Sequence, residues 1–294
     1  MNIKKIILPA LLLPITGAGS WNMDAAEPVP KTRNEWRLIW SDEFDKAGKP
    51  DPKKWVYERE GFLRNEEMQW YTSDEKNVYV KDGCLHLVAR LENKPNPWYK
   101  EGSGNWKFNR KNIEITSAGL ITSTTFTFLY GRAEMRAKLP VGQGVWPAFW
   151  TLGTDTRYGD WPAKGEIDIF EFWKDWQGIY TLQSTVHWQD QNKKHLQSGK
   201  KIINRNFTDD FHIFAMEWDP EKIVFFFDKE PIFTFKTGQC SIGDFNPFRA
   251  PHFLLLNLAI GGSLGGKVDK SIFPAEYIID YVRIYQKTEI GTKQ

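Results

Sequence analysis

Residues 165–173 read Gly165-Glu166-Ile167-Asp168-Ile169-Phe170-Glu171-Phe172-Trp173. Three acids sit within six positions of a segment otherwise made of strand-forming apolar residues. On a regular strand, side chains alternate between the two faces, so Glu166 and Asp168 share one face while Ile167 and Ile169 take the other. Strict alternation then drives Glu171 into the apolar face, where an unpaired carboxylate costs several kcal/mol. One inserted residue near Ile169–Phe170, a β-bulge, returns Glu171 to the side of the other two acids. The segment therefore predicts a bulged strand carrying three carboxylates on a single face. The two Glu α-carbons are then roughly 13 Å apart along the strand, and side chains leaning inward on a concave sheet reach a carboxyl gap of about 5–5.5 Å. That is the spacing of a nucleophile and an acid/base in a retaining glycosidase. Three acids so close are not all ionised near neutral pH, and a retained proton is what a leaving sugar oxygen requires.

The surrounding chain reads as many short strands. Residues 77–80 and 84–90 flank Lys81–Asp82–Gly83, a tight hairpin signal, and residues 222–227 and 232–235 flank a second turn. In residues 131–139, Arg132, Glu134, Arg136 and Lys138 alternate with Ala133, Met135, Ala137 and Leu139. In residues 253–260, Leu254, Leu256, Leu258 and Ile260 lie opposite Asn257 and Ala259, and residues 277–285 make a last strand. No sustained helical period and no repeat interrupts this pattern. Residues 93–112 form a long polar loop of the kind that carries function more often than not. The expectation is an all-β protein, a two-sheet β-sandwich of jelly-roll type with a concave substrate cleft.

Of 294 residues, 15% are aromatic, including 14 Trp, and the formal net charge is +2 without long runs of one sign. No basic stripe points to nucleic acid. The N-terminus carries Lys4 and Lys5, an apolar run over residues 6–15 and small residues at 17–20, the pattern of an export signal too short to span a bilayer. Cleavage near Ser20 or after Ala26 both fit. The expectation is a cleaved signal within residues 1–26, one domain over 27–288 and a tail at 289–294, in a secreted or periplasmic monomer held by no membrane segment. The two cysteines, Cys84 and Cys240, define no pairing, and Cys84 reads as a small buried hydrophobe.

GEIDIFEFW at 165–173 resembles the catalytic signature of glycoside hydrolase family 16 in its bulged form. WSDEF at 40–44, NEEMQWYT at 65–72, YGRAEMRAKLP at 130–140, GVWPAFWTLG at 144–153, HW at 187–188, LNLAIGG at 256–262 and DYVRIY at 280–285 follow in that family's order. The set is similar to the laminarinase-like branch, endo-β-1,3-glucanases with a long open cleft. The resemblance implies Glu166 as nucleophile, Asp168 as its hydrogen-bonding support and Glu171 as acid/base. It also implies sugar contacts from Asn65, Glu134, Arg136, Trp146, Trp150, Trp161 and Asn257, with His187 near the acid/base. Ala259 and the bulged spacing depart from the lichenase branch. Mixed-linkage β-1,3/1,4-glucan, a marine galactan, or a non-catalytic glycan-binding module are the alternatives, the last disfavoured by the presence of both Glu166 and Glu171. The chemistry needs no cofactor. Asp280 lies among Ile278, Val282 and Ile284, where an acid requires a partner: the resemblance suggests a structural calcium held by Glu43, the Gly83 carbonyl and Asp280, and an Arg or Lys partner is the alternative.

Overall fold

The computed structural model describes residues 32–33 and 36–287. The export-signal segment and the C-terminal tail lie outside the described residues. Strands dominate: an 11-stranded and a seven-stranded sheet, with a single four-residue α-turn, Gly262–Gly265, and three short 3-10 turns. No helix among the described residues is long and apolar enough to cross a membrane.

The seven-stranded sheet runs, edge to edge, His195–Ile203, Tyr180–Gln189, Glu166–Lys174, Val145–Gly153, His252–Ile260, Gly119–Ile121 and Val56–Tyr57. Every neighbouring pair is antiparallel. The larger sheet is built around Ala275–Lys287, which lies between Gly131–Lys138 and Cys84–Pro95. The first hairpin closes at Asp82 and Gly83, both with positive φ, and pairs Lys81 with Cys84. One continuous core fills the space between the sheets. Ala133, Met135, Ala137 and Leu139 enter it from the larger sheet, and Leu254, Leu256, Leu258 and Ile260 from the smaller, as their alternation predicts. Cys84 and Cys240 are unpaired.

The acid strand lies third from one edge of the seven-stranded sheet, and its register shows the bulge directly. Phe149 pairs with Phe170 but Trp150 with Asp168, which leaves Ile169 without a partner on that side. On the other side Asp168 faces Thr185 and Glu171 faces Gln183, so three steps on the acid strand meet two on its neighbour. The displaced Ile169 carbonyl accepts a 2.7 Å hydrogen bond from the buried Ser184 hydroxyl. Ile167, Ile169, Phe170 and Phe172 all enter the core, and the three acids are left on the opposite face. Gly165 leads into the strand at φ +79°, and a Cβ there would stand 2.7 Å from Pro247, so only glycine fits.

A second bulge lies in Ala275–Lys287. Ile279 and Tyr281 are out of step with their partners on Gly131–Lys138, so Asp280 leaves the core-facing set that Val282 and Ile284 occupy. It forms a 2.6 Å ion pair with Arg136.

Candidate active site

A cleft of about 720 Å³ runs over the outer face of the seven-stranded sheet. Its floor holds Glu166, Asp168 and Glu171, together with Trp146, Ala148 and Trp150 of the adjoining strand. Asn65, Trp161, His187 and Asn257 also line it. The sequence also missed several of its residues. Arg64 and Glu67 stand beside Asn65, and Gln183, His195, Gln197 and Lys201 come from the two strands at the open edge. His195 and Lys201 lie on an edge strand of mixed polarity, Gln197 included, where nothing in the alternation marks a functional side chain.

Each acid has a distinct setting. Asp168 lies between the others and is 3% exposed, and it hydrogen-bonds Glu166. Burial pushes its pKa up to about 7. Burial, and then the neighbouring Asp168, push Glu166 up to about 8, against the opposing pull of His187, Arg64 and a hydrogen bond from Trp161. Glu171 is raised well above the ordinary carboxylate range, first by burial and then by the charges of Asp168 and Glu166, while His187 and the Trp146 indole act the other way. The Trp146 N–H donates to Glu171 Oε1 over 3.1 Å. Burial and the mutual repulsion of the three acids thus oppose their full ionisation near neutral pH. At least one proton is therefore retained in the row, and Glu171, held well above the ordinary carboxylate range, is suited to carry it.

His187 is placed differently from the expectation that it lies near the acid/base. Its Nε2 is 3.1 Å from Asp168 Oδ2 and 3.8 Å from Glu166 Oε1, which sets it at the other end of the row of acids. Across the cleft, Trp150 donates to Asn257 Oδ1 at 2.8 Å, and the Asn257 amide in turn donates to the Tyr71 hydroxyl. Arg64 lies 5.1 Å above the Trp150 ring and is held by a bidentate pair to Glu58 at 2.6 and 2.9 Å. Trp150 is thus an indole fixed on both sides. Trp161, 49% exposed, presents the most open aromatic surface of the cleft. The long loop supports this rim from behind: Lys107 donates to the Leu63 carbonyl, and Arg110 to those of Glu66 and Glu67.

Two predicted contacts do not belong to the cleft. Glu134 and Arg136 lie on Gly131–Lys138, in the other sheet. Glu134 is 1% exposed, bound by Arg132 at 2.7 Å and by the Tyr281 hydroxyl at 3.0 Å, and Arg136 pairs with Asp280. Their alternation with core residues is real, but it belongs to the sheet across the core from this cleft. The suggested calcium set does not fit either. Both carboxylate oxygens of Glu43 are taken by Arg283 at 2.8–3.2 Å, and Asp280 is bound by Arg136. Calcium seeks oxygens free of competing cations, about six to eight of them, and this donor set is already neutralised by arginine.

The glycosyl hydrolases family 16 model matches residues 65–283. The chain is 37% identical to a beta-glucanase of Rhodothermus marinus over 98% of both chains. The solved laminarinase of Rhodothermus marinus superposes with a TM-score of 0.72 at 37% identity, covering 87% of this chain and all of that one. A structure from work on endo-acting O-glycanases of the human gut microbiota superposes at 0.80 with 36% identity, over 88% of this chain and 93% of that one. With its bulged acid strand inside the matched region, this chain belongs to glycosyl hydrolases family 16.

Proposed function

We propose that the chain is a retaining endo-β-1,3-glucanase of laminarinase type. The observation that carries this reading is the bulge at Ile169, which sets Glu171 on the cleft floor beside Glu166 and Asp168. In the first step the Glu166 carboxylate attacks the anomeric carbon while Glu171 gives its proton to the departing glycosidic oxygen. This leaves a sugar esterified to Glu166. In the second step Glu171 takes a proton from water, the water oxygen bonds to the anomeric carbon and the ester breaks, returning Glu166 as a carboxylate. Two inversions preserve the β configuration. Asp168 orients Glu166, and the Trp146 indole orients Glu171. Sugar rings stack on Trp161 and along the aromatic floor.

The glucan preference draws on the two Rhodothermus marinus proteins, a beta-glucanase and a laminarinase. The lysine pair and apolar run at the N-terminus support action outside the cytoplasm. Digestion of laminarin is the test. Short oligosaccharides with the β anomer formed first are expected, Glu166→Gln abolishes turnover, and azide restores turnover of an activated aryl β-glycoside, whose leaving group needs no proton, to Glu171→Ala. An α anomer formed first overturns the assignment of roles. A second reading rests on the higher TM-score of the structure from the O-glycanase work, 0.80 against 0.72. Mucin O-glycans therefore belong in the same assay, and release of oligosaccharides from mucin but not from laminarin decides for it.

A further inference from the structure

The cleft floor holds a buried carboxylate oxygen that the hydrolytic reading leaves without a partner. Asp168 Oδ2 has no aligned hydrogen bond, although Asp168 is almost fully buried and His187 Nε2 stands 3.1 Å away. That oxygen, a Glu166 oxygen and a His187 nitrogen lie within 4.8 Å of one another, a three-donor group found nowhere else among the described residues. The far side of His187 is also fixed. Its Nδ1 shares a 2.9 Å hydrogen bond with His195 Nε2, and the two rings stack at 5.1 Å and 24°. Trp161 packs against His195 at 4.7 Å and holds that ring in place.

This is the environment of a metal-binding imidazole, in which one nitrogen faces anionic donors and the other is hydrogen-bonded so that the ring cannot turn. We propose that Glu166, Asp168 and His187 form a binding site for a borderline divalent cation, Zn²⁺ or Cu²⁺, with His195 orienting the imidazole, and that occupancy blocks hydrolysis. The donor types select the ion. One imidazole and two carboxylates with a position open to the cleft match zinc coordination, whereas calcium and magnesium prefer all-oxygen shells with more ligands. Ligands about 2.0–2.2 Å from zinc stand roughly 3.3–3.6 Å from one another, so the trio closes on the ion by small rotations of side chains at the open floor. Of the positive groups nearby, Arg64 is already neutralised by Glu58 and faces Glu67 at 3.8 Å. A cation held here occupies the Glu166 oxygens that would attack the sugar, so it competes with substrate. Glu171 stays outside the set, tied to Trp146.

Zinc titration by calorimetry in chelator-free buffer tests this, with Co²⁺ absorption in the visible reporting the ligand shell. Neither readout needs turnover, so the outcome is separate from which glycan is cut. Wild-type protein is expected to bind one ion. His187→Ala should weaken binding at least tenfold, His195→Ala by about tenfold with partial rescue in His195→Gln, and Glu171→Gln should bind as wild type. If His187→Ala does not fold, His195→Ala on the edge strand carries the comparison. Absence of saturable one-to-one binding, unchanged affinity in His187→Ala, or an equal loss in Glu171→Gln overturns the site. Unchanged affinity in His195→Ala overturns the orienting role.

Discussion

Replacing Trp146 by Phe keeps a flat ring on the cleft floor and removes one hydrogen bond, that from the indole N–H to Glu171 Oε1. An indole N–H can only donate, so the bond favours the ionised carboxylate. Hydrogen bonds to charged groups contribute about 1.5–3 kcal/mol, and at 3.1 Å this one belongs near the lower end. With 1.36 kcal/mol per pH unit, losing it strengthens the hold of Glu171 on its proton by roughly one pH unit. A general acid that keeps its proton longer carries activity to higher pH. The alkaline limb of kcat/KM on laminari-oligosaccharides, which reports the free enzyme, should therefore move up by about one unit. A limb that moves down refutes the assignment of Glu171 as the acid. A limb that stays while the plateau falls shows that the indole acts on the sugar and leaves the proton alone.

Other consequences are open to measurement. Ser184→Ala orphans the buried Ile169 carbonyl and should cost about 1–3 kcal/mol in denaturant unfolding, with kcat falling because the bulge loosens; a stable variant with unchanged kcat would show that the core alone holds the bulge. Glu166 has a folded pKa raised to about 8, so the folded state binds the extra proton between the ordinary carboxylate range and pH 8, and its contribution to stability is lost as pH rises through that window. Glu166→Gln should accordingly raise Tm, and by more at pH 8 than at pH 5; an equal gain at both would remove the titration argument. Glu134→Gln breaks a buried ion pair and should lower stability by about 3 kcal/mol, the low end because Glu217 still pairs with Arg132, while KM stays unchanged; a raised KM would return Glu134 to the sugar site. Added Ca²⁺ should leave Tm unchanged, since arginines already neutralise Glu43 and Asp280; a rise would restore the calcium reading.

The acid strand was legible because a forbidden outcome, a carboxylate sealed beside Ile167 and Ile169, left one escape. The same reasoning applied to Asp280 would have revealed its bulge, since there too an acid falls among Val282 and Ile284. Glu134 and Arg136 misled for a different reason. Alternation separates the face toward the core from the face away from it, but each sheet of a sandwich has one of each. Period two does not say whether the polar face borders the cleft or the back of the molecule. His195 and Lys201 were invisible because they reach the cleft of the three acids only through the pairing of three strands. Arg64 sits one position before a segment the resemblance had marked, and only its stacking over Trp150 shows its part.

The ring of Phe170, directly behind the row of acids, meets Phe214 of the opposite sheet at 4.2 Å. The height of the three carboxylates above the core is thus set partly by a wall on the far side of the sandwich. Volume changes on that far wall will be felt as altered turnover as well as altered melting, and a search for hardier variants that repacks Phe214 will be adjusting the reaction from behind.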